Sequence, residues 1–279
     1  MQPRRRRRTG RVLRIAILVA WALLCLVPIL WFLSIGLRPR TEIITRVPIY
    51  WPTWSTDAWH IIWNDWPLGS YLRNSVLAIF GSVVLDLLLA IPAAYALSRY
   101  RFRGREDIGF YILSTKMMAP AAVAIPIFFL FRWVGLLNSV WALILVYAAM
   151  NLSLVTWVIR SYMLDIPPEI EDAARTDGAG DLTILVSLVV PICLPGIITA
   201  AVIAMIFAIN EFLFTLLIAS TKSAYTLSVA LANFSGGTDG TIYNAIALVS
   251  FVAFVPVLLV VVAIQGHLSR GLTLGAVKG

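Results

Sequence analysis

The chain has 279 residues, 60% of them apolar and only 13% charged, with a mean hydropathy of +0.89 and a net charge of +8. Soluble globular chains are about half apolar and a quarter charged, so these values exclude a large water-soluble catalytic domain and point to an all-α transmembrane protein. Two cysteines, Cys25 and Cys193, and two histidines, His60 and His267, offer neither a disulfide framework nor a ligand set for a metal, and no catalytic or metal site is expected.

A hydrocarbon core roughly 30 Å thick takes about 20 apolar residues of helix to cross. Six runs are long enough: 15–37, 74–98, 108–131, 140–159, 195–221 and 241–265. They predict six membrane-spanning helices over 15–265, between a basic N-terminal tail (1–14) and a C-terminal tail (266–279). The first run follows an arginine-rich start, as in a signal peptide. It exceeds a signal-peptide core in length and lacks a small-residue cleavage site, so a retained helix is expected.

Basic residues are held on the cytoplasmic side. With the N-terminus inside, 15 of the 22 lysines and arginines are cytoplasmic (Arg4 to Arg8, Arg11, Arg14, Arg99, Arg101, Arg103, Arg105, Arg160, Arg175, Arg270 and Lys278). Both termini are therefore expected inside a bacterial cytoplasmic (inner) membrane. Beside a span, the Arg4 to Arg8 run reads as an orientation signal touching anionic lipid headgroups rather than as a nucleic-acid site.

The outer loop 38–73 carries Trp59, Trp63 and Trp66 at helical spacing. This fits an interfacial helix with its indoles at headgroup level, and also a surface for stacking sugars. The outer loop 222–244, with Ser235-Gly236-Gly237 and Asp239-Gly240, reads as exposed.

The inner loop 160–194 concentrates acids: Asp165, Glu169, Glu171, Asp172, Asp177 and Asp181. Asp165 before Pro167-Pro168 predicts a helix start, and Gly178 predicts its stop. Asp181 is expected to cap a second short helix that Pro191 closes. Two short helices with a glycine elbow suit docking onto a cytoplasmic partner.

These residues resemble a known family. Asp172-Ala173-Ala174, three residues, Gly178, nine residues and Leu188-Val189-Val190-Pro191 are similar to the EAA loop of ATP-binding-cassette importer permeases, whose pattern is E-A-A-x3-G-x9-I-x-L-P. Asp172 replaces the glutamate, with Glu171 just before it; Leu188 and Val190 replace Ile and Leu. The tail 270–279, Asn74-Ser75 and Asn210-Glu211 resemble the maltose-type, carbohydrate-importing branch. Ser114 to Met118 with Pro126 are similar to its polyol-importing members.

The resemblance implies a half-channel. A second homologous permease would pair with it, two ATPase subunits would bind ATP and Mg, and an extracytoplasmic binding protein would deliver a sugar or polyol. Glu171, Asp172, Ala173, Ala174, Gly178 and Pro191 would then couple to the ATPase. The sequence carries no G-x-x-x-x-G-K-[ST] phosphate loop, so no nucleotide cofactor is expected on this chain.

Asp86, Lys116 and Glu211 fall within predicted spans, where a charge costs at least about 2.5 to 3.5 kcal/mol. The backbones of Asp86 and Lys116 are expected to differ in depth by about 6 Å, which a lysine stem covers. They suit an interhelical pair, with a substrate contact as the alternative. Glu211 and Asn210, with Phe207 and Phe214 nearby, suit hydroxyl recognition under aromatic cover, or polar glue between helices. Pro92, Pro120, Pro126 and Pro256 are expected to mark kinks. A proton- or sodium-coupled carrier titrating Glu211 or Asp86 is the rival function. A membrane enzyme is the weaker one, because Ser, His and Asp are too scattered for a nucleophile site.

Overall fold

The structure, a computed structural model, describes residues 3–43, 53–234 and 242–275. Its elements are helices: α1 (Pro3–Gly36), α2 (Arg40–Ile43), α3 (Asp57–His60), α4 (Leu68–Arg99), α5 (Arg105–Thr115), α6 (Pro120–Val134), α7 (Val140–Leu164), α8 (Pro168–Thr176), α9 (Asp181–Ile184), α10 (Val190–Ile209), α11 (Leu213–Ile218), α12 (Leu227–Asn233) and α13 (Tyr243–Gly275). Single π turns, Ile61–Asp65 and Leu185–Val189, extend α3 and join α9 to α10. The chain falls into two units, one drawn from Met1–Pro67 and Leu231–Val255, the other from Leu68–Ala230 and Pro256–Gly279. The Ser235 to Gly240 turn expected in the loop 222–244 lies outside the described residues, as do residues 276–279 of the tail.

In the first unit, Gly36 lets α1 lie against the backbone of Leu248, where a Cβ would come within 3.1 Å of the Leu248 nitrogen. Asn244, fully buried, donates from Nδ2 to the Arg38 carbonyl at 3.3 Å. The tryptophans divide. Trp66 packs on Phe234 with ring centroids 4.7 Å apart, whereas Trp59 and Trp63 stack on each other at 5.8 Å and remain exposed. Ala58 and Ile62, each one residue before these tryptophans and so on a neighbouring face of that short helix, are buried.

The second unit is organised on α7. On α4 every fourth residue, Ala78, Ser82, Asp86, Ala90 and Ala94, is fully buried. Small side chains at that spacing form a low ridge that lets two helices approach closely. Contacts near the middle of α4 (Gly81 with Ile144) and near its end (Leu97 with Arg160) keep the same chain spacing, so α4 and α7 run in the same direction. Helix α10 packs on α7 at Gly196. One core joins Tyr95, Ile159, Met163, Ile184, Val189 and Cys193; another joins Ala78, Phe131, Leu143, Tyr147, Phe214 and Ile218. Next to the second core, Asn138 at φ 59° accepts at Oδ1 from the backbone N–H of Ser220 (2.7 Å) and Thr221 (3.0 Å), tying the start of α7 to the chain after α11.

Several expected boundaries shift. The third run is not one straight helix: α5 and α6 meet at 92° across residues 116–119. Pro120 has no N–H and forces Ala119 into an extended conformation (ψ 123°). The Ser114 and Thr115 hydroxyls take the Tyr111 and Ile112 carbonyls, each at 2.7 Å, which stops α5 there. The fifth run begins earlier and ends earlier than expected: a continuous helical stretch covers Asp181–Ile209, and α11 is separate. Pro191 therefore does not close a short helix. The wide π turn before it carries the helix past the carbonyl that proline would strike. Of the expected proline kinks only Pro120 coincides with a break; Pro92, Pro126 and Pro256 lie inside helices.

The α7–α10 contact is testable. A Cβ on Gly196 would lie 2.3 Å from Cγ of Tyr162, inside the ring's own volume. Gly196→Ala is expected to cost about 1 to 3 kcal/mol by overpacking and to lower the thermal midpoint of the purified protein, with recovery when combined with Tyr162→Ala. An unchanged midpoint in the single variant would show that the two helices do not meet closely there.

Candidate functional site

Helix α8 is short, acidic and amphipathic, and its two ends are specified by local chemistry. Pro167 is the N-cap and Pro168 occupies the first turn, where a missing N–H costs nothing. Asp165, expected at the start of this helix, is the C-cap residue of α7. At the other end Gly178 has φ +86°, its N–H donates to the Arg175 carbonyl (3.0 Å), and the Ala179 N–H donates to the Ala174 carbonyl (3.0 Å). That pair of bonds is a Schellman stop, built on a left-handed glycine, so the predicted elbow is present. Ala174 and Ala179 pack against the first core beneath it.

Glu171 and Asp172 on α8 face different surroundings. Asp172 is exposed and pairs with Nη1 of Arg175 at 2.9 Å. Glu171 is only 1% exposed. Its Oε1 lies 2.6 Å from Nε of Arg99, and its Oε2 accepts from the Tyr95 hydroxyl at 2.9 Å. Nη2 of Arg99 donates in turn to the carbonyls of Met163 (2.8 Å) and Ile166 (3.0 Å). Glu171 thus points into the protein and not toward a partner surface, because the charged end of α4 lies directly beneath it. Of the alanine pair, Ala173 is exposed while Ala174 is half-buried.

Around this core the charges continue. Asp181, in the first turn of α9 and not its N-cap, which is Gly180, accepts from the Tyr100 hydroxyl at 2.8 Å and lies 3.5 Å from Nη2 of Arg175. That hydrogen bond to Asp181 raises the Tyr100 phenol above its ordinary value, and the Asp172 bond does the same for the Arg175 guanidinium. Arg99, Tyr95, Tyr100 and Arg175 were not singled out from the sequence.

A second polar group gathers at the breaks between helices. Lys116, in the α5–α6 bend, sits with Nζ 4.5 Å from the ring centre of the exposed Phe207. It donates to the Met150 carbonyl (2.9 Å) and to Oδ1 of Asn151 (3.3 Å) on α7. Asp86 is fully buried in the α4 ridge, and neither carboxylate oxygen has a hydrogen-bond partner. No ion pair within 4.0 Å joins it to Lys116 among the described residues; the lysine is held by α7 instead. Asn210 and Glu211 occupy the gap between α10 and α11. Asn210 is exposed and donates to the Ile206 carbonyl (2.7 Å), and Oε1 of Glu211 accepts the Phe214 N–H (2.9 Å), capping α11. Phe214, expected at the pathway, is fully buried in the second core; the capped turn of α11 directs it inward. Among the described residues, no three of His, Cys, Asp and Glu come together as a metal site.

Asp86 carries a test. A buried unsatisfied polar group costs about 1 to 3 kcal/mol, and serine already occupies the same ridge at Ser82. Asp86→Ser is therefore expected to raise the thermal midpoint of the purified protein by a few degrees. A fall would mean that the carboxylate has a stabilising partner, Lys116 foremost.

Solved structures share the fold. A chain in the crystal structure of a bacterial ABC transporter involved in the import of the acidic polysaccharide alginate has the same fold, with a TM-score of 0.74 at 24% identity over 93% of this chain and 96% of that one. A chain of the bacterial alginate ABC transporter in complex with an alginate pentasaccharide-bound periplasmic protein matches with a TM-score of 0.65 at 15% identity, covering 96% and 97%. Among sequences, the sulfoquinovosyl glycerol transport system permease protein of Agrobacterium fabrum is 32% identical, covering 91% of this chain and 89% of the relative. The trehalose transport system permease protein of Mycobacterium tuberculosis is 32% identical, covering 94% and 95%. The trehalose/maltose transport system permease protein of Thermococcus litoralis is 27% identical, covering 96% and 97%.

Residues 66–274 match the family described as binding-protein-dependent transport system inner membrane component. The chain belongs to that family: it is a transport permease subunit and not an enzyme.

Proposed function

We propose that this permease forms half of the translocation pathway of an ABC importer for a carbohydrate or polyol, and that α8 is its EAA-type coupling helix. The observation that carries the reading is the construction of α8. A helix stopped by a left-handed glycine presents Asp172 and Ala173 outward while Glu171 holds its inner face. A small, acidic tip of this kind suits entry into a cleft on an ATPase with basic groups at the rim.

Six crossings follow when the bent pair α5–α6 counts as one and α13 as the last. Among the described residues four helices are long and apolar enough by themselves, and the bent pair makes five. Helix α13 is 33 residues long, about 50 Å at 1.5 Å per residue. Arg99 to Arg105 and α8 lie at one end of the second unit, which the positive-inside rule assigns to the cytoplasm together with both termini. The partners of the reading are a second permease, two ATPases carrying ATP and Mg, an extracytoplasmic binding protein, membrane lipids and the sugar itself. The substrates for which the relatives are named, trehalose, maltose and sulfoquinovosyl glycerol, support the carbohydrate class. Phe207, Lys116, Asn210 and Glu211 are the residues that would face it, with an aromatic face for the sugar's apolar side and polar groups for its hydroxyls.

The experiment is uptake of labelled sugar into vesicles holding the full transporter. Uptake is expected to need ATP and to survive ionophores; uptake by this chain alone, driven by a proton or sodium gradient, would instead establish the ion-coupled carrier. Gly178 sharpens the test. A Cβ there meets nothing within 4 Å, so a substitution is penalised through the backbone, by about 1 to 2 kcal/mol for a left-handed residue with a Cβ. Gly178→Val is expected to insert normally but to lose substrate-stimulated ATP hydrolysis, while Gly178→Asn, which tolerates that conformation, keeps most of it. Hydrolysis and import at the unmodified rate in Gly178→Val would remove the support for a coupling elbow.

A further inference from the structure

The guanidinium of Arg99 does more than neutralise one acid. It closes the C-terminal end of α4, it caps two carbonyls, Met163 on the last turn of α7 and Ile166 in the connector to α8, and it pairs with Glu171 on α8. Arg99 is 10% exposed and Glu171 1%. Tyr95, one turn earlier on α4, holds the second carboxylate oxygen. Arg175 lies 3.8 Å from that same oxygen but is 40% exposed, so water screens it and it contributes little. A planar fork with five donors can serve an acid and two carbonyls at once, where an ammonium serves as a single point charge. Removing one member of such a buried set strands the other.

We propose that Arg99 and Tyr95 are positioning residues that bind α8 to the ends of α4 and α7 as one rigid body. An ATPase-driven displacement of α8 is thereby delivered to α4 without slack. The inference rests on the reading of α8 as the coupling helix and extends it to residues outside the loop. Helix α4 then carries the displacement along its buried ridge to Asp86, on the helix that packs beside the α7 residues holding Lys116. Glu171 is the anchor of α8, and Asp172 and Ala173 are its outward face.

The test uses the complete transporter reconstituted with its partner permease, ATPases and binding protein. Spin labels at Arg103→Cys and Glu169→Cys, both exposed, in a Cys25→Ser and Cys193→Ala background report the distance between the turn that follows α4 and α8. That distance is expected to stay the same in the resting and nucleotide-trapped states, and to broaden in Arg99→Gln. Arg99→Gln and Glu171→Gln are each expected to lower import per ATP hydrolysed by at least about tenfold while the ATPase still co-purifies. Arg99→Lys should fall between, and the double variant should be no worse than either single.

A change of more than about 5 Å, one helical turn, between the two states of the unmodified transporter would overturn the rigid body. Unaltered import per ATP in both single variants would overturn the positioning role. Absence of an ATPase on the unmodified chain would instead overturn the coupling reading itself, and the proposal with it.

Discussion

The close approach of α4 to α7 is the constraint on which the second unit depends. Where the surroundings of a helix are as apolar as its side chains, burial gives little preference for one neighbour over another, and contact is decided by how near two backbones can come. Ala78, Ser82, Ala90 and Ala94 supply that nearness on α4, and Gly196 supplies it between α10 and α7. Helix α7 is thereby held against both α4 and α10, and the polar groups at its two ends, Asn138 near the start and the Met163 carbonyl near the finish, fall within reach of neighbouring elements. The position of α8 is a consequence: Arg99 lies beside the end of α7 only because α4 and α7 run side by side in the same direction.

A chain of this composition must satisfy its backbone internally wherever water is excluded, so each interruption of a helix needs a local substitute for the lost bonds. At the α5–α6 bend the Ser114 and Thr115 hydroxyls take carbonyls. Between α10 and α11 the Asn210 amide takes a carbonyl and the Glu211 carboxylate takes an N–H. After α8, Gly178 and Ala179 close the last turn with their own N–H groups. The polar residues that draw attention in the sequence are, in large part, the residues that make these breaks possible. A capping role and a role toward a substrate are compatible, since a break in a helix both needs polar groups and leaves room beside them.

The distribution of acids on α8 illustrates how packing reassigns chemistry. Glu171 and Asp172 are adjacent in sequence and equivalent in composition, but successive helical residues point about 100° apart. One is therefore aimed at α4 and the other at solvent. The direction each takes depends on Arg99, 72 positions earlier in the chain. Arg175, four residues on from Glu171, balances Asp172 and Asp181 on the outer side, so the exposed tip is less negative than its acids alone imply.

The all-helical class, the start of α1's apolar stretch, the start of α7 and the glycine stop of α8 were all determined by the sequence, because apolar run length, proline at a first turn and glycine at a last turn act through neighbours in the chain. The resemblance of Asp172-Ala173-Ala174 and Gly178 to an importer loop likewise required nothing beyond local order. What the tertiary structure alone decided was which polar groups meet. Lys116 engages Met150 and Asn151 and leaves Asp86 without a hydrogen bond; Phe214 turns into the core while Phe207 remains outside; Pro191 continues a helix it was expected to end; and Glu171 closes on Arg99 and Tyr95. Each of these turns on helix rotation and on the register between helices far apart in sequence. Neither leaves a mark in local composition, because a rotation of one residue along a helix changes every partner while altering no residue type.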